Sequence, residues 1–155
     1  MATQQARSAP AVFIIAILLA VFFVMSWTAW TGKSATYDEP LHFVASWVQT
    51  HEGDFRCDPE DPPLWRYYVA AVMPKERLTV PTSGVVWDSM LTNRAVEGLY
   101  FKDVLYHTPG NDADAAISSG RLRMLFLGVA LGAAIAAWAW RLAGAVAGFV
   151  AAAAF

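Results

Sequence analysis

The first residues with catalytic potential form the run Y-D-E-P-L-H at positions 37–42. Two adjacent carboxylates, Asp38 and Glu39, are followed by the imidazole of His42. On a helix, His42 lies one turn beyond both carboxylates, so the spacing predicts that all three side chains face one volume. A carboxylate and an imidazole together serve general acid/base catalysis or bind a metal ion. The structural alternative is that Asp38 caps the helix and Glu39 complements its dipole.

The second candidate group is the acidic run G-D-F-R-C-D-P-E-D-P-P-L at positions 53–64. Pro62 and Pro63 fix an extended entry into a following helix, and they hold Glu60 and Asp61 in a rigid frame. Rigid carboxylates suit a binding site. The alternative is a solvated acidic turn. The single cysteine, Cys57, lies between Arg56 and Asp58. It has no metal-ligand partner at useful spacing, and we interpret it as incidental.

Both groups lie in a polar segment between apolar ones. The chain is 57% hydrophobic and 15% charged, and its mean hydropathy is +0.39, which favours a membrane protein over a soluble domain. The pattern predicts a cytoplasmic tail (1–10), a first transmembrane helix (11–31), an extracytoplasmic loop (32–120), a second transmembrane helix (121–141) and the truncated start of a third (142–155). The net charge of -2 comes without a basic cluster, which argues against nucleic acid as a partner.

The first apolar segment has one competing interpretation, a cleaved signal peptide. Its uncharged run of about twenty residues exceeds the usual h-region of about 7–15, and Trp27 and Trp30 are typical of an interfacial belt, so a retained anchor is favoured. Arg7 and Arg141 both fall on the side opposite the large loop, which places that loop outside the cytoplasm. Gly128 and Gly132 predict close approach of another helix.

Within the loop, apolar periodicity predicts four helical segments. One begins at Asp38 and stops before Gly53, a second runs from Leu64 to Met73 until Pro74, and an amphipathic third runs over 87–106 along the membrane surface. A fourth begins in the cap-like cluster 111–114, carries Arg121 and continues into the membrane. The expected fold is therefore all-α, a polytopic membrane protein of which this chain is the N-terminal part.

The ordered motifs resemble one family. A D-E-x-x-H element after the first helix is followed by G-D-F-R, P-E-x-P-P-L, D-A-D-A, and a helix that opens on R-L and closes on R-L-x-G. This order is similar to the glycosyltransferase-C superfamily, in the branch of protein O-mannosyltransferases, aminoarabinose transferases and bacterial phospholipid carrier-dependent glycosyltransferases. The resemblance covers residues 37–144. It implies an integral protein of the cytoplasmic (inner) membrane whose main loop faces the periplasm or exterior and whose lipid-linked donor is a polyprenyl-phosphate sugar.

The resemblance also implies roles for individual residues. Asp38 would be the general base that deprotonates the acceptor as the sugar is transferred with inversion, and Glu39 would order Asp38 or the acceptor. His42 would take part in substrate or donor binding. Arg121 would stabilise the leaving phosphate, although a snorkelling interfacial arginine is an equal alternative.

A possible divalent metal ion is the remaining implied component. By the resemblance, Glu60 would bind this ion or a substrate, and Asp61 is its neighbour in the same motif. The family often has His or Lys where Asp61 stands, which makes this site more negative, and Arg123 replaces the usual proline after R-L. The D-A-D at 112–114 resembles the D-x-D of nucleotide-sugar enzymes, but its position before a helix favours capping.

These expectations combine into a membrane glycosyltransferase that uses a polyprenyl-phosphate donor and acts on a protein, lipid or glycan outside the cytoplasm. Membrane lipid and further transmembrane helices of the full-length protein would be its partners, and the 155 residues alone are expected to be inactive. A different class of function stays open: a non-catalytic membrane anchor or partner subunit that retains the loop, or a degenerate truncated copy.

Overall fold

The computed structural model describes residues 2–71 and 73–155, with side chains described from residue 9 onward, and its regular secondary structure there is entirely helical. The described α-helices, in chain order, are α1 (Ala2–Trp30), α2 (Glu39–His51), α3 (Pro63–Ala70), α4 (Val85–Ser89), α5 (Glu97–Lys102), α6 (Ala113–Ala143) and α7 (Ala145–Ala154). Short 3₁₀ turns occupy Lys75–Arg77 and Arg94–Val96, and a π-helical turn occupies Asp103–His107. The expected all-α class is confirmed.

The chain divides into two compact units. One, here called the apolar unit, comprises Met1–Lys33 and Met124–Phe155; the other, the loop unit, comprises Ser34–Arg123. The candidate residues at positions 38–61 lie in the loop unit.

Two helices are long and apolar enough to cross a membrane. Ala9–Trp30 has 22 residues with a hydropathy of 2.7, and Ala113–Ala143 has 31 residues with a hydropathy of 1.8. The third apolar helix, α7, has only 10 residues. It starts after Gly144, which has a φ of +85°, a conformation that glycine adopts without steric cost. The turn expected at Arg141 is therefore displaced to Gly144.

The glycines of α6 pack closely, as their spacing predicts. A Cβ atom on Gly132 would lie 2.7 Å from Phe155 and 2.9 Å from Leu19 of α1, both too short for a real contact. On Gly128 it would lie 3.3 Å from Phe22, also of α1. The apolar unit thus uses the small residues of α6 to bring neighbouring helices into van der Waals contact.

The loop unit has its own hydrophobic core. Helix α2 contributes the most to it because its middle turns are buried on every side, from Phe43 to Gln49. The other helices add buried apolar side chains to the same cluster, chiefly Val69, Trp87, Met90, Phe101, Val104 and Ile117. As predicted, α2 stops before Gly53, which has a φ of +66°.

Two predicted helices of the loop are shorter than expected. The one predicted over 64–73 is Pro63–Ala70, and the amphipathic helix predicted over 87–106 is broken into α4, a 3₁₀ turn, α5 and the π turn. The break occurs because the Asn93 side chain accepts a hydrogen bond from the Ala95 N–H and starts a new turn. Leu91 and Leu99, expected on the apolar face, are each 64% exposed.

Candidate active site

Asp38 lies at the N-terminal end of α2, where its position after the first apolar segment predicts a helix start. It occupies the N-cap position, but its side chain makes no capping hydrogen bond. The carboxylate is exposed, and within residues 2–71 and 73–155 it has no hydrogen-bond or ion-pair partner. The capping alternative for Asp38 therefore has no hydrogen bond to support it, and the carboxylate faces solvent.

Glu39 is held very differently from its neighbour. Arg121 donates two hydrogen bonds to its carboxylate, from Nε to Oε1 at 2.7 Å and from Nη2 to Oε2 at 2.6 Å. The Thr36 N–H donates a third, to Oε2 at 2.7 Å. Arg121 also donates to the Ser34 carbonyl at 2.9 Å. The hydrogen bonds from Arg121 hold the pKa of Glu39 below its ordinary value, with partial burial acting in the opposite direction.

This pair changes the expectation for Arg121. The residue comes from α6, 82 positions beyond Glu39, and in this arrangement its fork-shaped guanidinium is matched to a carboxylate of the loop. Its Nε and Nη2 donors are therefore both bonded to Glu39 in this arrangement, and the snorkelling alternative stays open. A role toward a leaving phosphate stays a prediction.

The partners of His42 lie in the acidic run after α2, so its shared volume with Asp38 and Glu39 stays a prediction. Its Nδ1 lies 2.7 Å from Oδ2 of Asp58 and 3.2 Å from Oδ2 of Asp61. The ring also packs edge-on against Trp65, with 5.4 Å between the ring centroids. The acidic run after α2 thus folds back beside His42.

Asp58 is the member of this group that sequence reasoning missed. It is 4% exposed and has a left-handed backbone with a φ of 50°, which Asp tolerates better than most residues. Arg66 of α3, itself 1% exposed, donates to the Asp58 carbonyl and, at 2.7 Å, to its Oδ2. Burial of either charge alone in the loop unit would cost free energy, so the pairing of Asp58 with Arg66 is needed for both to be buried there.

The two candidate metal ligands, Glu60 and Asp61, have different surroundings. Asp61 joins His42 and Asp58 in a group whose ligand atoms all lie within 4.8 Å of one another. Glu60, next to it in the chain, is exposed and lies outside that group. The donor set of one imidazole nitrogen and two carboxylates fits a first-row divalent cation, so the structure matches a metal site to Asp61 but not to Glu60.

A cleft of about 410 Å³ opens beside the start of α2. Tyr37 and Pro40, which flank the two carboxylates in sequence, line one wall, and Lys102 and Tyr106 line another. The volume falls within the range of ordinary small-molecule sites, about 300–1,000 Å³. The cleft is also lined by Arg94 and Glu97, and this mixture of apolar surface, phenol groups and charged side chains suits a polar ligand with apolar faces.

The remaining candidates have structural roles. Asp112 accepts a hydrogen bond from the Ala115 N–H at 2.9 Å and caps α6, which confirms capping as the role of the D-A-D run. Cys57 is 1% exposed, and burial raises the pKa of its thiol to about 12. Such a thiol is a packing group and not a nucleophile.

Comparison with models of protein families, with curated proteins and with solved structures finds no match for this chain. The resemblance to lipid-carrier glycosyltransferases therefore rests on the motifs in the sequence, and it stays a prediction.

Proposed function

We propose that this chain belongs to a membrane glycosyltransferase that moves a sugar from a polyprenyl-phosphate donor to an acceptor outside the cytoplasm, with Asp38 as general base. The observation that carries the proposal is the contrast between two adjacent carboxylates. Glu39 is fixed in a bidentate pair with Arg121, whereas Asp38 is exposed and makes no hydrogen bond among the described residues. One carboxylate has a structural partner, and the other is open to a substrate proton.

The proposed reaction needs one proton acceptor and one leaving group. The Asp38 carboxylate accepts the proton of an acceptor hydroxyl or amine while that oxygen or nitrogen bonds to the anomeric carbon. The bond from that carbon to the phosphate oxygen breaks, and polyprenyl phosphate leaves with the electron pair. Attack from the opposite face inverts the anomeric centre. Glu39 and Arg121 position the first turn of α2, so that Asp38 presents the same oxygen in each cycle.

Two features of the loop unit support a substrate site at this place. The cleft is lined by Tyr37 and Pro40, the residues that flank Asp38 and Glu39 in sequence, and it is large enough for a sugar ring. Two helices long and apolar enough to cross a membrane flank the loop in sequence, and a lipid-linked donor requires a membrane-bound enzyme.

The second candidate is a non-catalytic membrane anchor or partner subunit. A specific observation favours it: the Nε and Nη2 donors of Arg121, the residue expected at the leaving phosphate, are both bonded to Glu39. In this alternative the ion pair only braces the loop, and no sugar is transferred.

The two candidates are separated by comparing cells that produce the protein from its own gene with cells that produce the Asp38→Asn form. Mass spectrometry of envelope glycans, lipids and glycoproteins should reveal a sugar modification that disappears with the substitution. The Asp88→Asn form is a matched control, because Asp88 is also an exposed carboxylate in the first turn of a helix. Identical profiles for all three forms would reject the enzyme and favour the anchor.

A further inference from the structure

Three potential metal ligands converge where the acidic run meets α2. The Nδ1 atom of His42 faces Oδ2 of Asp58 at 2.7 Å and Oδ2 of Asp61 at 3.2 Å. The residues come from two segments of the chain, and their ligand atoms lie within 4.8 Å of one another. His42 is well separated in sequence from the two carboxylates. The fold, and not proximity along the chain, therefore brings the three side chains together.

A hydrogen bond satisfies this group only in part. An imidazole Nδ1 carries at most one hydrogen, so it can make one strong bond, yet two carboxylate oxygens face it. A cation among the three atoms would bond to all of them at once. With bonds of about 2.0–2.2 Å, tetrahedral ligand atoms lie roughly 3.4 Å apart. The two distances from His42 Nδ1, 2.7 Å and 3.2 Å, would therefore each widen by less than about 1 Å to receive the ion.

The surroundings of the group fit a cation that solvent can reach. Arg66 donates to Oδ2 of Asp58, the same oxygen that faces His42, and so holds this carboxylate in place as second-shell partners of metal ligands do. Two carboxylates and one guanidinium leave one negative charge, which a divalent ion overcompensates by one, so a water or anion can complete its shell. The side chains of His42 and Asp61 are 31% and 39% exposed, which leaves an entry path.

We propose that His42, Asp58 and Asp61 form a binding site for one first-row divalent cation, with Zn²⁺ as the best match. An imidazole nitrogen favours Zn²⁺ over Mg²⁺ and Ca²⁺, which prefer all-oxygen shells. The bound ion ties the acidic run to α2 one turn after Asp38. The site is independent of the proposed sugar transfer, since it is defined by binding alone, and it excludes Glu60.

The test is Zn²⁺ binding to the full chain, purified metal-free in detergent and titrated by calorimetry. One ion per chain is expected, with a rise in melting temperature. Asp61→Asn and His42→Gln should each weaken binding at least tenfold, because each removes a direct ligand. Co²⁺ in place of Zn²⁺ should give a visible absorption spectrum that these substitutions abolish.

Two matched controls make the result specific. Glu60→Gln removes an adjacent carboxylate outside the group, and His107→Gln removes a histidine whose Nδ1 lies 2.8 Å from the carboxylate of Asp103, both side chains being exposed. Neither should change Zn²⁺ affinity by more than about twofold. The melting temperature without metal shows whether each variant is folded, and Asp61→Asn alone decides if His42→Gln is not. Equal affinity of Asp61→Asn and the wild-type chain, or a loss in Glu60→Gln or His107→Gln, would overturn the proposal.

Discussion

Replacement of Asp38 by Asn in the full-length protein should abolish sugar transfer and leave folding intact. A general base typically contributes about 10²–10⁴-fold, which corresponds to about 2.7–5.4 kcal/mol of activation free energy at about 1.36 kcal/mol per tenfold. The amide has the shape of the carboxylate but does not accept the proton. Because the Asp38 side chain makes no hydrogen bond among the described residues, the substitution breaks no contact that would confuse the result.

The structure also sets the expected change in stability. A capping aspartate that is replaced by alanine typically costs about 1 kcal/mol, but that value requires the side chain to accept a hydrogen bond from the first turn. Asp38 makes no such bond, so Asp38→Ala should cost less than about 1 kcal/mol, through the helix dipole alone. Glu39→Ala should be the opposite case, with a loss of about 1–3 kcal/mol, since it leaves the guanidinium of Arg121 without its carboxylate.

The assay combines turnover and melting on the same purified samples. Transfer from a polyprenyl-phosphate sugar to the acceptor found by mass spectrometry is measured for the wild type, Asp38→Asn, Asp38→Ala and Asp88→Asn, and detergent-solubilised melting is measured for each. Loss of transfer in both Asp38 variants, with unchanged melting, supports the general base. More than about a tenth of wild-type turnover in Asp38→Asn would refute it. A large melting shift in Asp38→Ala would point to a structural role instead.

Three further outcomes follow from the described contacts. Arg121 lowers the pKa of Glu39, so the ionised carboxylate stabilises the loop unit at pH values above its ordinary pKa of about 4.5. That contribution is lost as the pH falls through the pKa of the folded state. The difference in melting temperature between the wild type and Glu39→Gln should therefore shrink below about pH 4.5. Gly132→Ala should lower the melting temperature more than Gly128→Ala, because its Cβ would lie 2.7 Å instead of 3.3 Å from a neighbouring ring, and equal shifts would contradict the packing. Cys57, with a thiol pKa of about 12, should resist alkylation at pH 8 until the protein is unfolded, and rapid labelling of the folded chain would contradict its burial.

Local patterns in the sequence were enough for the helical elements whose signals are local. The start of α2 after Asp38, its end before Gly53 and the capping of α6 by Asp112 all depend on interactions within a few residues. The continuous helix predicted over 87–106 was wrong for the same reason. Its apolar spacing fits one helix, but the side chain of Asn93 accepts a hydrogen bond from the Ala95 N–H and starts a separate turn, which periodicity does not register.

The sequence predicted some residues of the candidate site but not the partners that bind them. Helical spacing brought Asp38, Glu39 and His42 together, yet spacing fixes only the face of a helix, and the partners that compete for each side chain come from elsewhere in the chain. Glu39 is taken by a residue 82 positions away, and His42 by one 16 positions away. Asp58 carried no signal of its own, because an aspartate in an acidic turn has the same sequence appearance whether it is buried or solvated.

The separation of these partners explains how one short run can hold two kinds of chemistry. Arg121 holds Glu39 in an ion pair, and His42 faces Asp58 and Asp61. The Asp38 side chain makes no hydrogen bond among the residues whose side chains are described, so in the proposed function it alone meets the substrate proton. The proposed cation site includes His42, one helical turn further along α2. Because the two proposed sites are independent, Asp38→Asn should leave the Zn²⁺ affinity unchanged, and clearly weaker Zn²⁺ binding by this variant would show that the two sites are one.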